Sequence, residues 1–128
     1  MRALLVDDDY KLAHDLRVLI PPHIDLIYMP DSKAAVEFLY KEDPPDAIIL
    51  DLCLPRYLSE LEETEGLRLL DLMQAFLAPD VPVVVLSQIP EEEAGPACLK
   101  HGASAYLEKP CPIEDLVALL QKLTAKEG

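Results

Sequence analysis

The sequence predicts an α/β protein built on a parallel sheet, and three observations support this prediction. Five short apolar runs alternate with five helical patterns along 128 residues. Three of the runs are apolar throughout, and a fourth, residues 105–108, is apolar up to Glu108, as in strands that are buried on both faces. Each of these four ends on polar residues: Asp7 and Asp8, Asp51, Ser87, or Lys109. Five strand–helix units use the whole length, so we expect a single domain over residues 1–128.

The first half of the chain predicts three strands and two helices. Residues 2–7 form the first strand, and an apolar stripe of Leu12, Ala13, Leu16, Leu19 and Ile20 predicts a helix that Pro21 and Pro22 end. Residues 24–29 form the second strand. Asp31 and Ser32 can cap a second helix with Ala35, Val36, Leu39 and Tyr40 on its apolar side. Residues 46–50 form the third strand.

The second half predicts two strands and three helices. Residues 67–77 form a strongly apolar third helix, and residues 81–86 form the fourth strand. Pro90 and three glutamates suit the start of the fourth helix, and Gly102 suits its end. Residues 104–108 form the fifth strand. The final helix begins near Pro112 and faces inward with Leu116, Val117, Leu119, Leu120 and Leu123.

Composition narrows the classes of partner. The net charge is −13, from 11 basic and 24 acidic residues, which disfavours direct binding to nucleic acid and to anionic membranes. A protein partner with a basic patch is favoured. No apolar run approaches the ~20 residues of a membrane span, and acidic residues interrupt any signal peptide at 7–9. We therefore predict a cytoplasmic protein. Three widely spaced cysteines indicate buried or half-buried thiols rather than a disulfide framework or zinc site.

The polar residues at the strand ends predict one chemical site. In an open α/β sheet the ligand lies outside the carboxyl ends of the strands. Asp7, Asp8 and Asp51 can hold a hard cation such as Mg²⁺, and Asp51 can also accept a phosphoryl group as a nucleophile. Lys109 and Ser87 can neutralise and hold that group. Taken singly, each residue also has an ordinary explanation, as a turn or capping aspartate, a structural hydroxyl or a solvated lysine.

These residues carry a family resemblance. The stretches LLVDDD, IILDLCLP, VVVLS and AYLEKP resemble the receiver (response-regulator) domains of two-component signalling, from residue 2 to about residue 123. The resemblance implies a flavodoxin-like (βα)5 three-layer sandwich with parallel strand order 2-1-3-4-5. It also implies that Asp51 is the phosphoacceptor, Asp8 a direct Mg²⁺ ligand, Asp7 a ligand through water, and the backbone carbonyl of Cys53 a third protein ligand.

The resemblance implies a switch as well. Ser87 is the expected switch hydroxyl, and Lys109 is the expected ion-pair partner of the phosphoryl group. Lys109 and Pro110 correspond to the family's cis peptide. Tyr106 occupies the aromatic switch position, although a strand aromatic packed on the fourth helix explains it equally well.

The chain departs from the common receiver pattern beside the expected site. Ten residues separate Pro55 from Gly66, more than receivers usually have there. This 56–65 insertion predicts either a solvated extension or an extra helical turn before the third helix, with Ser59 and Glu62 as a capping box, or a partner-docking or lid element. Gln88 stands where receivers favour a small residue and is expected to narrow access. Cys53 and Ile89 occupy the two positions that, by the resemblance, tune hydrolysis of the phosphoryl group. Neither side chain is well suited to orient an attacking water, so we predict slow loss of phosphate from Asp51.

The resulting functional prediction is a stand-alone, phospho-accepting response regulator that switches a protein-binding face of helix four, strand five and helix five. A histidine kinase or phosphotransfer protein would be the donor and a downstream protein the target, with a homodimer left open. The chain would not be an enzyme beyond self-phosphorylation and slow self-dephosphorylation. Two alternatives stay open: an unphosphorylated receiver-like interaction module, and a Mg²⁺-dependent phosphatase of the haloacid dehalogenase type. The second would use Asp7 and Asp9, but Lys11 departs from its motif.

Overall fold

A computed structural model describes residues 1–59 and 64–125. Its five strands are all parallel and lie in the order β2-β1-β3-β4-β5, which confirms the predicted sheet. The strands are β1 (Arg2–Val6), β2 (Asp25–Met29), β3 (Ala47–Leu50), β4 (Val83–Ser87) and β5 (Ala105–Glu108). The helices are α1 (Tyr10–Leu19), α2 (Ser32–Lys41), α3 (Glu65–Leu72), α4 (Glu91–Lys100) and α5 (Ile113–Thr124).

Helices cover both faces of the sheet and create two cores. Side chains of α2, α3 and α4 pack on one face, with Leu39, Leu70 and Cys98 among the buried residues. Side chains of α1 and α5 pack on the other, with Leu16 and Leu120 buried. Every residue of β3 and β4 is buried, as expected for central strands of a parallel sheet. The three-layer prediction is therefore confirmed.

Some predicted details are wrong. Tyr40 was expected on the apolar side of its helix and is 82% exposed, because one residue past the buried Leu39 turns it about 100° away from the core. Leu19 ends α1 and is 63% exposed, since the extended Ile20 after it takes the core position. The third helix does not span 67–77: α3 begins at Glu65, and Met73–Leu77 is π-helical.

Two aspartates, Asp9 and Asp31, have a structural role as helix caps. The Asp9 side chain accepts hydrogen bonds from the backbone N–H groups of Lys11 and Leu12 and so caps α1. Asp31 caps α2 in the same way, accepting from the N–H of Ala34 at 2.8 Å. Asp7 and Asp8 have no such helix-capping bond in the described part of the chain. Across residues 1–59 and 64–125, no helix has the length and apolar character needed to cross a membrane.

Candidate functional site

Three carboxylates meet where β1 and β3 end side by side. Val6 and Leu50 are register partners, so the residues that follow them, Asp7 and Asp51, leave the sheet at the same place. Asp7 is 1% exposed and Asp51 6% exposed, whereas Asp8 is exposed. Carboxylate oxygens of these three aspartates lie within 4.8 Å of one another. An all-oxygen set with this spacing fits a hard divalent cation.

The cluster lines a cavity of about 190 Å³ at the carboxyl edge of the sheet. Asp9, Cys53, Gln88 and Lys109 complete its lining. Gln88 is exposed and borders the cavity. This position is compatible with the prediction that its side chain narrows access to the site. Ser87 precedes it but is fully buried beneath this lining.

Lys109 pairs with the carboxylates from the end of β5. Its Nζ donates to Asp7 Oδ2 at 2.6 Å and lies 3.6 Å from Asp51 Oδ2. Its backbone N–H donates to the carbonyl of Ser87 at 2.8 Å, and the Lys109–Pro110 peptide bond is cis. Burial lowers the pKa of the ammonium, but the hydrogen bond that it donates to Asp7 and the charges of both aspartates outweigh burial and raise the pKa. Lys109 is therefore a fixed positive charge in the cavity.

Asp51 is under opposing influences. Burial and the neighbouring charge of Asp7 raise the pKa of its carboxyl, while Lys109 and the N–H of Cys53, 3.3 Å from Asp51 Oδ1, lower it; the net direction is upward. A bound cation would relieve the same like-charge repulsion. Burial and the charge of Asp51 also raise the pKa of the exposed Cys53 thiol, so the thiol stays protonated at neutral pH.

Ser87 and Tyr106 bind the loop between β4 and α4. Ile89 N–H donates to Ser87 Oγ at 3.3 Å, and Tyr106 Oη donates to the Ile89 carbonyl at 2.6 Å. Tyr106 is 6% exposed and belongs to the same core cluster as Cys98 of α4. It thus packs on the fourth helix and also contacts the β4–α4 loop, so both explanations of this aromatic residue stay compatible with the structure.

Glu65 is a buried acid whose environment the sequence did not reveal. A solvated extension would have exposed it, but it is 1% exposed at the start of α3. Its carboxylate accepts hydrogen bonds from the backbone N–H groups of Tyr57, Leu58 and Ser59 and from the Ser32 hydroxyl. Burial raises the pKa of this carboxyl, but the hydrogen bonds from Ser32 and the loop backbone outweigh burial and hold the pKa at about 2.

The predicted capping box pairs Ser59 with Glu62, and Glu62 lies outside the described residues. Thr64 is the residue that precedes α3, and its side chain makes no capping hydrogen bond. In the sequence, the only local feature that distinguishes Glu65 from the other glutamates of the insertion is its place directly before Gly66. Its donors come from α2 and from the preceding loop, which no local pattern connects to it.

Gly66 brings α3 directly against the end of β3. Its N–H donates to the Leu52 carbonyl at 3.0 Å. A Cβ at this position would lie 2.4 Å from the carbonyl oxygen of Asp51 and 2.4 Å from the Cα of Leu52. Such a distance forces the backbone to move, so only glycine fits this contact.

The fold and the site define a class: a doubly wound α/β protein with an acidic, lysine-paired pocket at the carboxyl ends of its central strands. The chain belongs to the response regulator receiver domain family, whose family model matches residues 3–121. Among curated proteins it is similar to the transcriptional regulatory protein KdpE of Staphylococcus aureus, at 28% identity over 94% of this chain and 48% of that protein. It is also similar to the response regulator MprA of Mycolicibacterium vanbaalenii, at 32% identity over 100% of this chain and 54% of that protein.

Solved structures agree with this assignment. The receiver domain of Francisella response regulator 1452 superposes with a TM-score of 0.82 at 27% identity, covering 96% of this chain and 95% of that one. A putative response regulator from Chloroflexus aurantiacus has a TM-score of 0.82 at 28% identity, with 98% of both chains covered. The chain spans about half the length of the curated relatives that it matches. These relatives give no support to the phosphatase alternative.

Proposed function

We propose that this receiver domain accepts a phosphoryl group on Asp51. The observation that carries the proposal is the surrounding of Asp51, a buried carboxylate whose neighbours are Asp7, Asp8 and the Lys109 ammonium. A nucleophilic carboxylate, oxygen ligands for a cation and a fixed positive charge are the parts that phosphoryl transfer requires. The chain is then a phosphoacceptor rather than an enzyme that releases product at every cycle.

The transfer requires only Asp51 and the phosphoryl donor as reactants. A carboxylate oxygen of Asp51 attacks phosphorus, and an O–P bond forms while the bond to the donor breaks. The electron pair of the broken bond leaves with the donor, which is the imidazole nitrogen of a histidine kinase or phosphotransfer protein, or the acetate of acetyl phosphate. Lys109 faces the charge that arrives on Asp51.

The donor set of the acidic cluster suits Mg²⁺. Asp8 would bind it directly, Asp7 through water, and the carbonyl of Cys53 as a third ligand beside Asp51. When bound, the ion offsets negative charge on the phosphoryl oxygens. Carboxylates, a carbonyl and several retained waters are the usual environment of Mg²⁺ in proteins.

Phosphorylation would act on the β4–α4 loop. The new group brings nearly two negative charges, and the Ser87 hydroxyl, 3.3 Å from the N–H of Ile89, would turn toward it. That N–H belongs to the loop that Tyr106 holds, so the face formed by α4, β5 and α5 would change shape. Lys100 at the end of α4 and Lys122 in the last turn of α5 are the basic residues on the helices of this face.

The partners are proposals too, because the whole relatives are about twice as long as this chain. We propose a histidine kinase or phosphotransfer protein as donor, a downstream protein as target, and the cytoplasm as location. The α4–β5–α5 face is the surface on which a homodimer could form. Direct binding to nucleic acid by this domain is not proposed, given the net charge of −13.

Intact-mass spectrometry with Mg²⁺ and acetyl phosphate tests the proposal. The wild type should gain one phosphoryl group and Asp51→Asn none. Asp80→Asn is the matched control, since Asp80 lies exposed in the turn before β4, and it should behave as the wild type. Uptake that persists in Asp51→Asn would contradict the assignment. No uptake and no binding of beryllofluoride in the wild type would favour the interaction module.

The same preparation measures the lifetime of the phosphoryl group. Cys53 is exposed and carries a protonated thiol, and Ile89 is half-buried, so neither side chain can orient water as a base. We therefore expect slow loss from Asp51 in Mg²⁺ at neutral pH. A half-life of only seconds would refute this expectation.

A further inference from the structure

A buried glutamate outside the acidic pocket holds the loop that follows the acceptor strand. Three consecutive backbone N–H groups, of Tyr57, Leu58 and Ser59, donate to the Glu65 carboxylate at 2.8, 2.9 and 2.9 Å. The Ser32 hydroxyl on α2 is the fourth donor. A buried charge is stable only where hydrogen bonds replace its lost hydration, so these donors and the carboxylate depend on one another.

Glu65 and its neighbour Gly66 fasten the loop at two points. Gly66 N–H binds the carbonyl of Leu52 at 3.0 Å, and Glu65 binds the chain again at residues 57–59. Only the four residues from Cys53 to Arg56 lie between the two attachments. Because both attachments come from the first two residues of α3, the path of this short segment is set by α3.

The fastened segment borders the acceptor. The N–H of Cys53 donates to Asp51 Oδ1 at 3.3 Å, and Cys53 is one of the residues that line the acidic cavity. Leu54 is 7% exposed and packs in the core on the α2, α3 and α4 side of the sheet. A shift of the loop away from Glu65 would therefore move groups that contact Asp51 directly.

We propose that Glu65 is a positioning residue of the phosphoacceptor site: by fastening residues 57–59 it fixes the backbone of Cys53, and with it a hydrogen bond to Asp51 and the proposed carbonyl ligand of the cation. This inference rests on the proposed function, which gives the Cys53 carbonyl its role. A merely structural Glu65 would change the stability of the protein. A positioning Glu65 also changes cation binding and phosphoryl uptake in molecules that are fully folded.

Glu65→Gln is the informative substitution. The amide keeps the size of the side chain, but one of its two polar atoms becomes a donor and faces backbone N–H groups that are donors themselves. Hydrogen exchange should show faster exchange of the amides of Tyr57, Leu58 and Ser59, with β1 still protected. Calorimetry should show Mg²⁺ affinity lower by on the order of tenfold, as for other outer partners of metal ligands. The initial rate of phosphorylation by acetyl phosphate should fall with it.

Val117→Ala is the matched control. Val117 is 8% exposed in the core between α5 and the opposite face of the sheet, so its truncation destabilises the fold without touching the loop. Both variants are compared under conditions in which each is fully folded. Mg²⁺ affinity should be unchanged in Val117→Ala. An equal loss of affinity in both variants would overturn the proposal, as would lost loop protection in Glu65→Gln with unchanged affinity and phosphorylation.

Ser32→Ala keeps the proposal testable if Glu65→Gln does not fold. It removes one of the four donors and should produce smaller changes in the same direction; wild-type loop exchange and wild-type affinity in this variant would overturn the proposal. A wild-type protein that binds no Mg²⁺ and takes up no phosphoryl group would overturn both proposals. A wild type that does both, with Glu65→Gln identical to it, would overturn only the positioning role.

Discussion

Replacing Glu65 with glutamine should lower the free energy of unfolding at neutral pH by an amount that follows from its titration. The carboxyl has a pKa of about 2 in the folded protein, against an ordinary value of 4.5. At about 1.4 kcal/mol for each pK unit, this difference corresponds to about 3 kcal/mol of stability. The side chain is 1% exposed, so solvent screening does little to reduce the effect.

The pH dependence has a definite sign. Folding lowers the pKa of Glu65, so its stabilisation is fully present above pH 4.5 and is lost as the pH falls through about 2. The variant has no such group to titrate. The difference between wild type and Glu65→Gln should therefore shrink on acidification, to less than about half of its neutral value at pH 3.

Urea unfolding followed by circular dichroism measures this difference at pH 7 and at pH 3. Other carboxylates titrate in both proteins and cancel in the comparison. Glu37→Gln is the control: Glu37 is exposed and pairs with Lys41 at 2.8 Å within α2, so its replacement should produce no comparable change. A wild-type advantage over Glu65→Gln below about 1 kcal/mol at pH 7, or one that does not shrink in acid, would refute the reasoning.

Three further predictions concern the site and its surroundings. Gly66→Ala places a Cβ 2.4 Å from the Asp51 carbonyl oxygen. We expect the free energy of unfolding, measured in urea, to fall by about 1–3 kcal/mol, and phosphoryl uptake, measured by mass spectrometry, to slow. Wild-type values for both would contradict this prediction. Lys109→Gln removes the ammonium 3.6 Å from Asp51 Oδ2, so calorimetry should show tighter Mg²⁺ binding while uptake slows on the order of 10²-fold; weaker binding would count against the electrostatic argument. The buried Tyr28 hydroxyl has no hydrogen-bond partner among the described residues, whereas that of Tyr106 donates at 2.6 Å. Tyr28→Phe should therefore leave the free energy of unfolding unchanged or raise it, and Tyr106→Phe should lower it by about 1 kcal/mol; equal losses would show that the contrast is wrong.

The sequence was most informative where one local pattern decides the outcome. Buried parallel strands need continuous apolar runs, and β3 and β4 were visible for that reason. Parallel strands also bring their carboxyl ends to one edge, so Asp7, Asp51 and Lys109 could be placed together before any contact was known. The family resemblance supplied the strand order, which the apolar runs do not contain.

Local patterns failed where a side chain has a choice of environment. Tyr40 lies next to the buried Leu39 yet faces solvent, because the angle between successive helix positions decides which residue meets the sheet. Tyr106 could be assigned to a strand but not to an inward position on the Ile89 carbonyl, since that contact joins residues 17 positions apart.

Glu65 shows the same division most clearly. The amino-acid sequence by itself indicated that an acidic insertion follows β3 and borders the candidate site. Only the tertiary structure decided that one of these acids is buried, because its four donors come from the loop before it and from α2, 33 positions away in the case of Ser32. Hydrophobic periodicity indicates which residues avoid water, and it is a local pattern that the sequence alone contains. The satisfaction of a buried charge depends on groups that only folding brings together.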